Sequence, residues 1–276
     1  MEKDNHLNAV NLEGVIFIVD AAKDALIELS DFKNELHFSE MAYTDTHYRL
    51  QYQPDYRRMA TERDVTEGRY ITIKLPHLTA LDPEGMAQKY GKEPADLLGK
   101  TDYEVMVDSA AVAQRMKGEL PRVEILGQTF YADLRMQSLR PKDDFSTPGL
   151  LVKDLNSFLS PDGTHYRVPM DLESRKIYPV EWEKLTDIPR GVMLVDIPTI
   201  ERLDPVGFAR EHQINPRQFL RNHPPKQEQS AETVPWSETM VMEIILANRI
   251  RDAIKRTIGE DDRKEQQQRP RRRPKI

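Results

Sequence analysis

Residues 203–220 read LDPVGFAREHQINPRQFL and residues 81–98 read LDPEGMAQKYGKEPADLL, so Leu, Asp, Pro, Gly and Ala recur at one spacing 122 residues apart. Repetition of this kind sets the unit of folding and is read before any local pattern. The match extends outward on both sides. NLEGVIFIVD (11–20) aligns with EILGQTFYAD (124–133) at an offset of 113, pairing Gly14 with Gly127, Phe17 with Phe130 and Asp20 with Asp133. THYRLQY (46–52) aligns with THYRVPM (164–170) at an offset of 118. The offset rises along the chain, as small loop insertions in a second copy would make it.

Each LDP block is a helix start. Asp82 or Asp204 can accept from a free first-turn amide, and Pro83 or Pro205 suits the first helical position, where no donor is lost. Asn215 before Pro216 repeats the signal for a second short helix. In the first copy Glu93, a poorer cap, precedes Pro94. Upstream, GVIFIVD, THYRLQY, RYITIKL and GVMLVDI are rich in β-branched and aromatic residues and read as strands. Longer helices are expected over DYEVMVDSAAVAQRMKG, stopping at Gly118, and over SETMVMEIILANRIRDAIKRTIG, stopping at Gly259. The fold class expected is α+β: two tandem, structurally similar repeats, each a mostly antiparallel sheet followed by short helices, plus a long C-terminal helix. The boundaries follow as 1–121 for the first repeat, 122–224 for the second, 225–259 for a linker and long helix completing repeat two, and 260–276 for a disordered basic tail.

A chain of 276 residues, 31% charged and 38% hydrophobic, is long enough for two cores. It has no cysteine, which removes disulfides, thiol nucleophiles and cysteine-bound metals. The polar opening MEKDNHLNAV lacks the pattern of a secretory signal, and no apolar run reaches the roughly 18 residues that span a bilayer. A cytoplasmic protein with no membrane partner is expected. No phosphate loop, dinucleotide fingerprint, nucleophile elbow or HExxH pair occurs, so no cofactor, metal or catalytic residue is expected. Asp20 and Asp133, at matched strand ends, read as turn caps rather than as acid–base groups.

Three groups of residues are candidates for binding. The net charge is −6, yet residues 269–276 carry five positive charges, leaving −11 on the rest. Arg269, Arg271, Arg272, Arg273 and Lys275 could therefore meet phosphates, as could Arg217, Arg221 and Lys226 if the second helix pair were a helix-turn-helix. The apolar stripe Val241, Ile244, Ile245, Ile254 and Ile258 on the last long helix could pack on the body or on a partner. The repeated pairs His47–Arg49 and His165–Arg167 form an outward face that could hold an anion, although neither His has a carboxylate or second His at ligand spacing. The expectation is a non-catalytic adaptor presenting two related surfaces to a protein partner, with a nucleic-acid-binding accessory protein as the alternative.

Overall fold

The structure is a computed structural model that describes residues 8–144 and 146–268. It is a mixed α+β fold with several antiparallel sheets. The chain first forms an antiparallel meander of β1 (Ala9–Leu12), β2 (Val15–Asp20), β3 (Ala25–Glu28) and β4 (Glu35–His37). Asp20 caps the turn after β2, accepting from the Lys23 amide at 3.0 Å, as its place at a strand end predicts. A second sheet centres on β6 (Tyr48–Gln53), with β5 (Ala42–Tyr43) and β7 (Arg58–Met59) on one edge and β8 (Ile71–Leu75) on the other. Period two sends Tyr48, Leu50 and Tyr52 inward, all fully buried, and leaves Arg49 and Gln51 exposed. Phe17 of β2 meets Tyr52 edge-on at 6.3 Å between ring centroids, joining the two sheets in one core.

Helices follow: α1 (Glu62–Thr66) between β7 and β8, then α2 (Leu78–Leu81), α3 (Pro83–Tyr90), α4 (Asp102–Met106) and α5 (Ser109–Met116). The single helix expected over 102–118 is two helices. Val107 is extended and Asp108 caps a new start, accepting from the Ala110 and Ala111 amides at 2.8 and 3.2 Å; such a cap outweighs continuation through a β-branched residue.

A second antiparallel set contains β9 (Arg122–Ile125), β10 (Gln128–Asp133), β11 (Ser138–Pro141) and β12 (Leu150–Leu151), followed by the short helix α6 (Val152–Leu155). The hairpin of β13 (His165–Asp171) and β14 (Val192–Pro198) comes next. Helices α7 (Ile200–Leu203), α8 (Pro205–Glu211) and α9 (Pro216–Asn222) then precede β15 (Glu228–Ser230), which pairs parallel to β9, β16 (Glu232–Val234), which pairs with β14, and α10 (Val241–Gln268). The helix α10 runs through Gly259 to Gln268. Its last turns, EDDRKEQQQ, are good helix formers apart from Asp261 and Asp262, and one interior Gly costs only about 1 kcal/mol, so the first part of the segment expected to lack structure is helical.

Two compact units result: the chain up to Pro121 together with 200–227, and 122–199 together with the chain from Glu228 onward. Residues 200–224 thus pack in the first unit, not with the strands that precede them as the boundaries 122–224 imply. The reason is chemical. Val206 of α8 and Leu220 of α9 bury against Val107, and both oxygens of the fully buried Asp204 accept from Arg115 Nε of α5 at 2.9 and 2.8 Å.

The LDP blocks acquire a physical reading. Asp82 and Asp204 share an unusual backbone, φ −142 ψ 69 and φ −129 ψ 66, and accept from the amides of Gly85 at 3.0 Å and Gly207 at 2.9 Å. A Cβ on Gly85 would lie 2.1 Å from Asp82 Oδ2, and one on Gly207 would lie 2.2 Å from Asp204 Oδ2. The glycine is therefore part of the cap, making room for the carboxylate. Gly207→Ala should cost about 1–3 kcal/mol by displacing Asp204 from both the amide and Arg115, read as a lowered urea midpoint with unchanged slope. After the first LDP block, by contrast, Glu93 makes no cap bond and only a 3-10 turn, Pro94–Leu97, forms, whereas α9 follows the second block.

Candidate functional site

Arg221 lies inside the first unit, 1% exposed, and is not available to a phosphate. It grips Asp24 with both terminal nitrogens, Nη1 to Oδ2 at 2.8 Å and Nη2 to Oδ1. Its guanidinium sits 5.1 Å over the Tyr48 ring, a favourable cation–π contact. The Tyr48 hydroxyl donates to the fully buried Asp102, which also accepts from the amides of Leu78 at 3.0 Å and Thr79 at 2.9 Å. Burial, with the Asp102 charge beside it, holds the Tyr48 phenol far above the ordinary tyrosine range. This network ties α9, β6, α2 and α4 together, and its chemistry is structural. Arg217 pairs with Asp45 and lies 5.6 Å over the Tyr103 ring while its side chain stays half exposed. Lys226 is exposed, and Arg269, Arg271, Arg272, Arg273 and Lys275 lie outside the described residues.

The second unit places the apolar stripe of α10 differently from its sequence reading. Val241 and Ile245 are buried against Trp236, Val192 and Leu194 and anchor the helix instead of presenting it, while Ile244 is half-buried. Polar clamps reinforce the anchor. Asn248 Nδ2 donates to the carbonyls of Trp182 and Leu185 at 2.8 and 2.9 Å, Arg249 Nε to that of Thr186 at 2.7 Å, and Arg251 Nη2 to that of Glu183 at 2.7 Å. Ile254 is exposed, and the Ile258 side chain lies outside the described residues. The outer face carries a row of which the sequence reading held only Ile254: Met242, Leu246, Ile250 and Ile254 at i+4 spacing, with 41, 59, 53 and 54% of their surface exposed. Its signal was the spacing itself, hidden because five of the first six residues of α10 are apolar.

The two His–Arg pairs part in their surroundings. In the second unit antiparallel register sets Arg167 opposite Asp196. Arg167 donates to it bidentately, Nε to Oδ1 at 2.9 Å and Nη2 to Oδ2 at 2.8 Å, and His165 Nε2 lies 3.2 Å from Asp196 Oδ2. His165 therefore does have a carboxylate partner, brought across the hairpin from 31 residues away, a distance at which no helical spacing operates. Asp162 approaches its other nitrogen at 3.9 Å. The Ser160 hydroxyl, then the Thr164 amide and hydroxyl, hold Asp162 down to about 2. Because the Thr164 hydroxyl donates to Asp162 at 2.9 Å while touching His165 Nδ1 at 2.9 Å, its proton is committed to the carboxylate. The cluster closes a turn and is not an activated nucleophile.

In the first unit Thr46 Oγ1 touches His47 Nδ1 at 2.8 Å in the same manner, but Arg49 stands opposite Lys74. Among the described residues no carboxylate pairs with Arg49. It lines a cleft of about 320 Å³ on the outer face of the sheet, with Glu40, Gln51 and Thr72 as further polar groups and Ala42 and Met59 as apolar lining. Among the described residues no group of three His, Asp or Glu could hold a metal ion, and no helix is long and apolar enough to cross a membrane. No family model matches the chain, and no curated protein or solved structure shows significant similarity to it.

Proposed function

We propose that the protein is a non-catalytic binding protein, built by duplication of one α+β module, which presents the outer ridge of α10 to an amphipathic helix of a protein partner. Backbone geometry supports the duplication independently of residue identity. Left-handed residues recur at the sequence offsets: Glu13 with Leu126, Gly14 with Gly127 and Asp24 with Gln137 at 113, Arg57 with Arg175 at 118, Gly91 with Gln213 at 122. Most of these are not glycine, so their coincidence reflects shared turns rather than shared composition.

The observation that carries the binding reading is the ridge of Met242, Leu246, Ile250 and Ile254. It faces away from the side anchored by Val241, Ile245 and Asn248, and a row of side chains at i+4 fits the groove of a second helix. Fully burying one such side chain is favourable by about 1.5–3 kcal/mol, and an amphipathic helix laid along a preformed apolar strip is a recurrent mode of recognition. The nucleic-acid alternative draws no support from Arg217 and Arg221, both engaged with carboxylates of the first unit, and its remaining basic tail lies outside the described residues. Replacing Leu246 and Ile250 by Glu should abolish partner association, measured by co-sedimentation from host extract, while changing stability by no more than about 0.5 kcal/mol because both sites are exposed. Retained association with unchanged stability would refute the ridge as the contact.

A further inference from the structure

The outer face of the first unit's second sheet holds charges that have no use in its fold. Arg49 lies across from Lys74 on one side and Ala42 on the other, and in the next row Gln51 lies across from Thr72. Among the described residues Arg49, Lys74 and Glu40 have neither an ion-pair nor a hydrogen-bond partner in their side chains. Glu40 and Arg49 line the same cleft and yet do not pair with each other. Two opposite charges held apart beside an apolar lining form a dipole that a zwitterionic occupant would complete.

The second unit shows what such an arginine does when a carboxylate is supplied. Its matching residue Arg167, at the offset of 118, is saturated by Asp196 through two parallel bonds at 2.9 and 2.8 Å. The residue in the register position of Asp196 is Lys74 in the first unit. That exchange replaces an internal carboxylate by a second cation. It leaves the fork of Arg49 for a carboxylate from outside, and guanidinium recognises carboxylate bidentately.

We infer that the Arg49 cleft binds a small zwitterion, an α-amino acid or dipeptide, with the ligand carboxylate on Arg49 and its ammonium on Glu40. A cleft of about 320 Å³ is at the small end of ligand sites, of a size for one or two residues. Gln51 and Thr72 supply neutral donors and acceptors beside the charges, while Met59 and Ala42 border an aliphatic side chain. The comparison with Arg167 rests on the duplication proposed above. The cleft and its unpaired charges stand without it, and binding at the α10 ridge is read by a different assay, so failure of one leaves the other intact.

The test is an ¹H–¹⁵N titration of the full-length protein with L-leucine, L-glutamate and L-alanyl-L-leucine, each also as its C-terminal amide and its N-acetyl form. Saturable shifts confined to the amides around Arg49, Gln51 and Thr72 are expected from at least one free zwitterion. Amidation or Arg49→Ala should weaken binding at least about tenfold, the value of one lost charge-assisted contact, and N-acetylation or Glu40→Gln by a similar factor. Arg49→Lys should restore part of it. The proposal is overturned if no free zwitterion saturates at millimolar concentration, if the amides bind equally, or if Arg49→Ala binds undiminished. Acetate or inorganic phosphate binding as tightly as the zwitterions would make this a plain anion site and would equally overturn the assignment.

Discussion

Asp24→Asn should destabilise the first unit by about 3–5 kcal/mol, because it leaves the guanidinium of Arg221 buried without its paired carboxylate. Asn also tolerates the left-handed backbone of Asp24, φ 57, so the loss reports charge and not strain. The converse substitution, Arg221→Met, should cost less. The Asp24 side chain is 21% exposed against 1% for Arg221, so an abandoned carboxylate can turn to water as the guanidinium cannot. In the double variant Met can pack on Tyr48, and part of the stability lost in Asp24→Asn should return. Urea unfolding of the four proteins measures the cycle. Equal losses for the two single variants would contradict the burial argument.

Trp236→Ala is the second large effect, expected at about 3–5 kcal/mol from the second unit. Trp236 is 8% exposed, packs against the root of α10, and donates Nε1–H to the Val192 carbonyl at 3.1 Å. Its removal opens a cavity beneath Val241 and Ile245 and orphans that carbonyl. Hydrogen exchange should therefore quicken first in the amides of 241–251, whose remaining hold is the clamp to 182–187. Protection of α9 in the first unit should not change. Loss of both together would mean that the two units unfold as one.

How much of this was legible in sequence depends on the range of the chemistry. The LDP starts are local. Cap, proline and glycine lie within four residues, and both helices form where the letters place them. The strand alternation of 47–52 and 165–170 is likewise local and holds in the burial of Tyr48, Leu50, Tyr52 and of Tyr166, Val168, Met170, broken only at Pro169, which is buried as well. The destination of Arg221 was not legible, since its partner Asp24 lies 197 residues away and a basic residue on a short helix reads the same whether it meets phosphate or carboxylate. The same distance hid the placement of 200–227 in the first unit. On α10 the difficulty was ambiguity instead. Val241, Met242, Ile244, Ile245 and Leu246 point to several sides of its first turns, so periodicity alone selects no inner side. Trp236 and the carbonyls of 182–187 select it, turning Val241 and Ile245 inward and leaving the adjacent row outside. The contrast between Arg49 and Arg167 was likewise invisible in the repeated THYR, because the deciding residues, Lys74 and Asp196, sit on the neighbouring strands.

The binding role of the α10 ridge is tested most directly by a photo-crosslinking amino acid placed singly at Met242, Leu246, Ile250 and Ile254, and at the exposed Thr72 and Lys226 as controls, in the native host. The account predicts one partner band from the four ridge positions and none from the controls. Bands from Thr72 or Lys226 with silence along the ridge would contradict it.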